Sequence, residues 1–290
     1  MRLAMIRKYR QGKLPNLIVI GAQKSATTSL HYYLGLHPQI SMSREKELDF
    51  FIREINWDKG IGWYKSHFVT HVAVRGEASP NYTNYPRWED AAETMHSVIP
   101  DAKLIYILRD PIDRMVSQYI QFCSDGSEDR TLEDALRPFD NNNVYIRRSR
   151  YFMQLQRYLN YFPSSNILVI TMEDLRDQRN ETLRRVFEFL NVDETFHSPK
   201  FVHIKHESAG KRRRKRIGTL MKQFAEVNMA KIFSTDTRMK LGGMLYLPFS
   251  SGIERPVLEE GLRRELVGFF REDITRLREH TGDAFEAWCV

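Results

Sequence analysis

Short uninterrupted apolar runs alternate with amphipathic stretches along most of the chain. LIVIG (17–21) is apolar throughout and ends in glycine, the pattern of a strand buried on both faces. A polar turn, AQKSATT, leads into SLHYYLGLHP. There Leu30, Tyr33, Leu34 and Leu36 share one face of a helix that stops near Pro38. The stretch onward to residue 70 is irregular and aromatic, with Phe50, Phe51, Trp57, Trp63, Tyr64 and Phe68. VAVRGE (72–77) reads as a second strand, followed by a turn through Pro80 and Pro86 and a helix over 88–98. LIYIL (104–108) is the clearest strand, running through Arg109-Asp110-Pro111 into a helix from about Ile112 to Phe122. Asp140–Asn143 is a loop. Residues 147–162 carry Tyr151, Leu155, Tyr158, Leu159 and Phe162 at near-helical spacing, and NILVITM (166–172) forms a fourth strand. Helices over 179–190 and 256–280 complete the pattern.

Strands that alternate with helices predict an α/β fold of three layers, with a central parallel sheet of four or five strands flanked by helices. There is no internal repeat and no clear linker. The expectation is one domain over 16–290 behind a basic tail at 1–15, with the loop around 205–216 an insertion within that domain.

Composition narrows the class. Of 290 residues, 42% are hydrophobic and 28% charged, so the chain is globular rather than disordered. No apolar run approaches the roughly 18–20 residues that span a bilayer, and the first residues lack the apolar core of a secretory signal. Two distant cysteines, Cys123 and Cys289, make neither a disulfide framework nor a four-ligand zinc site. A reducing, cytoplasmic location is expected, with no metal required. His31, His37, His67 and His71 have no metal-ligand or triad spacing and read as structural.

The formal net charge of +7 is concentrated in two segments. Residues 1–15 hold five basic residues and no acid, and residues 205–216 hold seven basic residues and one Glu. Without them the remainder stands at −4. The body is therefore slightly acidic, and the two basic segments either meet an anion locally or are simply solvated.

The loop between the first strand and first helix is the first site candidate. In a parallel sheet it lies at the carboxyl edge, where helix-start amides favour an anion. Gly21-Ala-Gln-Lys-Ser-Ala-Thr-Thr-Ser29 adds Lys24 as a point charge and the hydroxyls of Ser25, Thr27, Thr28 and Ser29, while Ala26 keeps the loop small. This is a phosphate- or sulfate-binding pattern. It is not a nucleoside triphosphatase P-loop, because Gln23 stands where the second glycine is needed and Ile18 where the first is. No acid ends a later strand to hold Mg²⁺; LIYIL ends in Arg109 instead. Arg109 and Ser117, about two turns into the next helix, could bind a second phosphate. The alternative is a helix-start pair, Arg109–Asp113 or Asp110–Arg114.

At this point the residues resemble a family. Gly21 to Leu30 resembles the 5′-phosphosulfate loop, roughly G-x-x-K-x-G-T-T-x-L, of sulfotransferases that use 3′-phosphoadenosine 5′-phosphosulfate (PAPS), with Ala26 in place of a glycine. Leu108-Arg109-Asp110-Pro111 through Ser117-Gln118-Tyr119 resembles the 3′-phosphate motif. Residues 149–175 and the terminal Phe285-Glu-Ala-Trp288 also resemble family members, the latter the bacterial ones. Lys46-Glu47-Leu48-Asp49-Phe50-Phe51 and Gly60-Ile-Gly-Trp-Tyr64 resemble the glycan branch, the heparan sulfate glucosaminyl N- and 3-O-sulfotransferases.

The resemblance implies a P-loop-like fold and in-line transfer of a sulfuryl group from PAPS to a hydroxyl or amine, with a carbohydrate the leading acceptor. It implies Glu47 as base and Lys24 as the cation or proton donor for the leaving group. Ser25 to Ser29 would hold the 5′-phosphate, and Arg109 and Ser117 the 3′-phosphate. Ser208-Ala-Gly-Lys-Arg212 resembles a late loop that closes over the 3′-phosphate, so Lys211 and Arg212 are expected to meet the donor. Two departures bear on the acceptor. Heparan-type enzymes usually have a lysine where this chain has Ala78, and often a histidine where it has Asp49, which could compete with Glu47 as base. Without the resemblance, Glu47 reads as a surface residue in a charged run, and Trp57, Trp63 and Tyr64 as either core or a sugar-stacking cleft. The rivals are a P-loop kinase or phosphotransferase and a non-catalytic glycan- or anion-binding module. KRRRKR has the charge to bind nucleic acid but no reading motif or interleaved aromatics.

Overall fold

The computed structural model describes residues 12–69, 71–203 and 254–290, together with the backbone of 212–214 and 250–252. Five strands form a parallel sheet: β1 (Leu17–Gly21), β2 (Ile40–Met42), β3 (Val74–Ala78), β4 (Lys103–Leu108) and β5 (Ile167–Thr171), in the order β2-β3-β1-β4-β5. β1 is central. Its Ile18 pairs with Glu77 of β3 on one side and Leu104 of β4 on the other.

The helices used below are α1 (Thr27–Leu34), α2 (Gly60–Lys65), α3 (Ala91–Val98), α4 (Pro111–Asp125), α5 (Leu132–Leu136), α6 (Val144–Arg147), α7 (Tyr151–Leu159), α8 (Met172–Asp177), α9 (Arg179–Leu190) and α10 (Glu260–Thr281). Alternate residues of each strand face opposite layers. Leu17, Val19, Ile105 and Ile107 pack with Leu30 and Leu34 of α1 and Leu183 and Phe187 of α9. Ile18, Ile20, Leu104, Tyr106 and Leu108 pack into a larger layer holding Met115 of α4, Leu155 of α7 and Ile274 of α10. Cover on both faces explains the continuous apolar runs of β1 and β4.

Three differences from the expected pattern have local causes. The stretch before residue 70 contains the edge strand β2, a 3₁₀ turn at Trp57–Lys59 and α2. β2 buries only Ile40 of its three residues, so it leaves no apolar run to read. The helix expected at 147–162 covers only 151–159 as α7; a separate short helix, α6, precedes it, and Arg148, Ser149 and Arg150 lie between them. Asp273 of α10 makes the break possible by accepting from the Phe152 and Met153 amides at 2.9 and 3.0 Å, which caps the start of α7. The last helix begins at Glu260, beyond Pro256, rather than at 256.

Arg114 ties this break to the helix after β4. It is fully buried. Its Nε donates to Ser149 Oγ, one terminal nitrogen to Gln118 Oε1 and the other to the Tyr145 carbonyl, each at 2.6 Å. Ser149 Oγ in turn donates to the Pro111 carbonyl at 3.1 Å. Burial, with Arg109 nearby, lowers the guanidinium pKa to about 10. Replacing Arg114 would strand three buried acceptors. Arg114→Met is expected to lower the unfolding free energy by roughly 3 kcal/mol, measured by urea denaturation; a loss under about 1 kcal/mol would show that this network does not hold α4 to α6 and α7.

Candidate active site

The β1–α1 loop turns tightly at the carboxyl edge of the sheet. The Ala22 amide donates to the Ile107 carbonyl of β4 at 2.7 Å, and the Ser25 amide to the Ala22 carbonyl at 3.2 Å. A Cβ at position 21 would overlap Thr83 Oγ1, so glycine is required there. Lys24 and Ala26 have φ of 71° and 63°, the left-handed region that favours glycine. The loop pattern that this segment resembles has glycine at position 26, and Ala26 adopts the same left-handed backbone at some strain. No side chain caps α1, so its first amides stay available. Ser25 Oγ is fully buried and has no partner. An anion accepting from that hydroxyl and the helix-start amides fits the loop. Thr27 and Ser29 are buried and Thr28 is half-buried. Lys24 Nζ donates to Gln121 Oε1 of α4 at 3.2 Å, and Ser117 lies one turn earlier on the same face of that helix. The first loop and the Ser117 helix are thus brought together.

Beyond β4, Arg109 is half-buried and pairs with Asp113 at 3.0 Å, as the helix-start alternative anticipates. Asp113 also pairs with Arg255 at 2.8 Å, so two guanidiniums share one carboxylate. The Arg109 carbonyl accepts from Tyr151 at 2.7 Å. Asp110 caps α4 through the Asp113 amide at 2.9 Å, and its other oxygen accepts from the Cys289 amide at 2.8 Å. The chain end is therefore docked on the Arg109-Asp110-Pro111 turn. Lys211 lies outside the described residues. Arg212 opens a short strand, β6 (Arg212–Arg214), paired antiparallel with β7 (Ser250–Gly252) and lying against α4.

On the other side of the loop, carboxylates gather at the end of β3. Glu77 is fully buried and accepts from Tyr64 at 2.7 Å, Tyr82 at 2.9 Å and Ser79 at 2.5 Å. Burial raises its pKa to about 6 despite those donors. Glu47 is half-exposed, pairs with Lys46 at 2.7 Å, and its amide donates to the Ala78 carbonyl at 3.0 Å. Asp49 is buried; Asn81 Nδ2 donates to its Oδ2 at 2.8 Å, while its Oδ1 has no partner. Burial raises the Asp49 pKa to about 6, with Glu47 adding to the shift. Glu47 and Asp49 have φ of 62° and 46°. Among the described residues, four of the six non-glycine residues with positive φ (Lys24, Ala26, Glu47 and Asp49) sit at this one edge.

A family model for the sulfotransferase domain matches residues 14–242. The chain belongs to the sulfotransferase domain family. It is 43% identical over 111 residues to the membrane-associated sulfotransferase kil1 of Dictyostelium discoideum, covering 37% of this chain and 22% of that protein. It is 29% identical over 201 residues to the human bifunctional heparan sulfate N-deacetylase/N-sulfotransferase 2, covering 62% and 22%. With the mouse heparan sulfate glucosamine 3-O-sulfotransferase 6 the identity is 28% over 187 residues, covering 62% and 53%. The chain thus spans between about a fifth and a half of these relatives' length. A crystal structure of a sulfotransferase from Alicyclobacillus acidocaldarius has the same fold, with a TM-score of 0.68 and 23% identity over 95% of this chain and 98% of that one.

In this sulfotransferase domain several histidines and aromatics take structural places. His31 Nε2 meets the Ser43 carbonyl at 3.1 Å, and burial beside Lys46 lowers its pKa to about 4. His37 bridges the Asp193 carbonyl and the Gln39 amide. Tyr64 stacks on Phe50 at 4.2 Å and is core, whereas Trp57 and Trp63 are partly buried against that core. Among the described residues no group of acids, histidines and cysteines is arranged for a metal, and no helix is long and apolar enough to cross a membrane.

Sequence reading missed Glu77, Asn81, Arg148 and Arg255 as site neighbours. Arg148 and Arg255 lie in charged or loop segments with no local signal, and only their contacts distinguish them. Glu77 offers a check on the site's electrostatics. Its folded pKa, about 6, exceeds the ordinary value of 4.5, so the native state holds the proton more tightly than the unfolded chain. Its stabilising contribution is greatest below pH 4.5 and is lost as pH rises toward 6. Relative to Glu77→Gln, wild type is expected to lose about 2 kcal/mol of stability across that window, read from denaturation curves at stepped pH; a difference that does not change with pH would contradict a raised Glu77.

Proposed function

We propose that this domain transfers a sulfuryl group from PAPS to a hydroxyl or amine, with a carbohydrate as acceptor. The observation that carries the reading is the anion-fitted loop with its buried, unpartnered Ser25 hydroxyl, joined through Lys24 and Gln121 to the helix that carries Ser117. A donor with phosphates at both ends of its ribose needs two such points. The named relatives that act on heparan sulfate support a glycan acceptor.

In this reading the acceptor oxygen or nitrogen attacks sulfur, its proton passes to Glu47, and the sulfur–oxygen bond to the 5′-phosphate breaks. Adenosine 3′,5′-bisphosphate (PAP) leaves, with the new charge on its bridging oxygen facing Lys24. The amides and hydroxyls from Ser25 to Ser29, with Ala26 allowing close approach, hold the 5′-phosphate. Arg109 and Ser117 hold the 3′-phosphate; Asp113 aims Arg109, and Lys211 and Arg212 close from the late loop. Asp49, buried near Glu47, is a second acid able to share the base role. Residues 16–290 act as one domain behind a basic tail, no metal takes part, and the location is cytoplasmic.

Two measurements test this reading. PAP is expected to bind wild type far better than ADP, and Arg109→Ala should weaken PAP by roughly 10- to 100-fold while leaving ADP unchanged. Equal binding of both nucleotides, indifferent to the substitution, would remove the donor assignment. In a glycan transfer screen, Glu47→Gln should lower kcat by about 10²- to 10⁴-fold. Full activity in that variant would take the base role from Glu47 and leave Asp49 to be tested by Asp49→Asn.

A further inference from the structure

Arg148 has no part in the reaction as set out above, yet its position is unusual for a cation. It lies in the break between α6 and α7 and is only 8% exposed. One terminal nitrogen donates to Gln23 Oε1 in the β1–α1 loop, and the other donates to Asn81 Oδ1, beyond β3, at 2.9 Å. The guanidinium therefore spans the two loops between which donor and acceptor would meet. Both partners are neutral amides. The third donor, Nε, is buried and has no partner.

Its electrostatic surroundings make this arrangement costly. Burial lowers the Arg148 pKa to about 9, and Arg114 and Arg147 push in the same direction. Asp49 opposes them, but the Asn81 side chain stands between, accepting from Arg148 and donating to Asp49. A buried cation hydrogen-bonded only to amides is unfavourable unless an anion completes it. The end of β3 carries no lysine of its own, since position 78 is Ala78 and buried.

We propose that Arg148 receives the sulfonate group of the donor, its Nε–H and terminal N–H groups forming the cationic wall between the β1–α1 loop and the end of β3. This rests on the donor reading above. The sulfonate oxygens remain negative as the bond from sulfur to the phosphate oxygen breaks and the bond to the acceptor forms. A planar guanidinium fixed at two corners holds them in line for that displacement. Asn81 orients Arg148 from one side and holds Asp49 from the other, so the cation for the transferred group and an acid beside the acceptor are set by one side chain.

The donor and its product differ by the sulfonate alone, which makes the test direct. Binding of PAPS and of PAP is measured by calorimetry for wild type, Arg148→Ala, Arg148→Lys and Arg148→Gln, each checked for a cooperative thermal melt. The expected result is PAP affinity within about twofold of wild type in all folded variants, PAPS affinity lowered at least about tenfold in Arg148→Ala and Arg148→Gln, and a smaller loss in Arg148→Lys. Equal weakening of both nucleotides would mean that Arg148 serves the phosphates or the loop's shape, and would overturn the proposal. Unchanged PAPS binding would overturn it as well. A wild type that does not bind PAP would remove the donor reading itself, an outcome separate from either of these.

Discussion

The central strand β1 is hydrogen-bonded in parallel to β3 on one side and to β4 on the other, and the geometry of the candidate site follows from that pairing. Three strands running the same way end at one edge, so the segments that leave them are neighbours whatever their distance in sequence. The chain goes from β1 to the far edge at β2, returns to β3, and then crosses to β4. The order reverses around β1, opening a crevice at its carboxyl end. The segments that follow β1, β3 and β4, bearing Ser25, Asn81 and Arg109, leave the sheet side by side at that end. The apolar faces of β1 and β4, covered by α1 and α9 on one side and α4, α7 and α10 on the other, hold it rigid.

Charge burial is the second organising constraint. Glu77, Asp49, Arg114 and Arg148 are all withdrawn from water close to that crevice, and no ion pair joins them directly among the described residues. Each is instead satisfied through hydroxyls, amides or carbonyls: Tyr64, Tyr82 and Ser79 for Glu77, and Ser149, Gln118 and the Tyr145 carbonyl for Arg114. Acids and bases held apart in this way keep their individual fields. Buried side-chain atoms left unpartnered in this region include Ser25 Oγ, Asp49 Oδ1, Arg148 Nε and, beside Arg114, Gln118 Nε2.

How much of this was legible beforehand depended on the range of the interactions. β1, β4 and β5 announce themselves as apolar runs, and β3 is readable from the valines at its start although Arg75 and Glu77 interrupt it. β2 does not, since Ser41 and Met42 are half-exposed at the edge. The β1–α1 loop is readable because its donors are consecutive. Arg109 and Ser117 follow for the same reason, being fixed by a strand end and helix spacing. The break between α6 and α7 depends on Asp273, about 120 residues away, so nothing local marks it and the expected helix starts too early, at 147. Arg148 was hidden by that same error: read inside a helix it is one more surface charge. Glu77 was hidden because a carboxylate closing a strand becomes informative only when three hydroxyls are found around it. The strain at Lys24, Ala26, Glu47 and Asp49 has a trace in sequence only at Ala26, where the family has glycine.

The edge position of β2 carries an evolutionary consequence. Only one side of this three-residue strand is paired, and the segment leaving it bears Glu47 and Asp49, while the β1–α1 loop and Arg109 spring from strands paired on both sides. Substitutions at Arg44 and Glu45, which are exposed, therefore disturb few contacts of the sheet, whereas Leu48, Phe50, Phe51 and Ile52 just beyond them belong to the core. Lineages built on this scaffold can vary that short exposed stretch and change what borders the crevice, while Phe50, Phe51 and the strands that frame the anion loop stay under the constraint of a shared core. Divergence is channelled to one margin of the molecule.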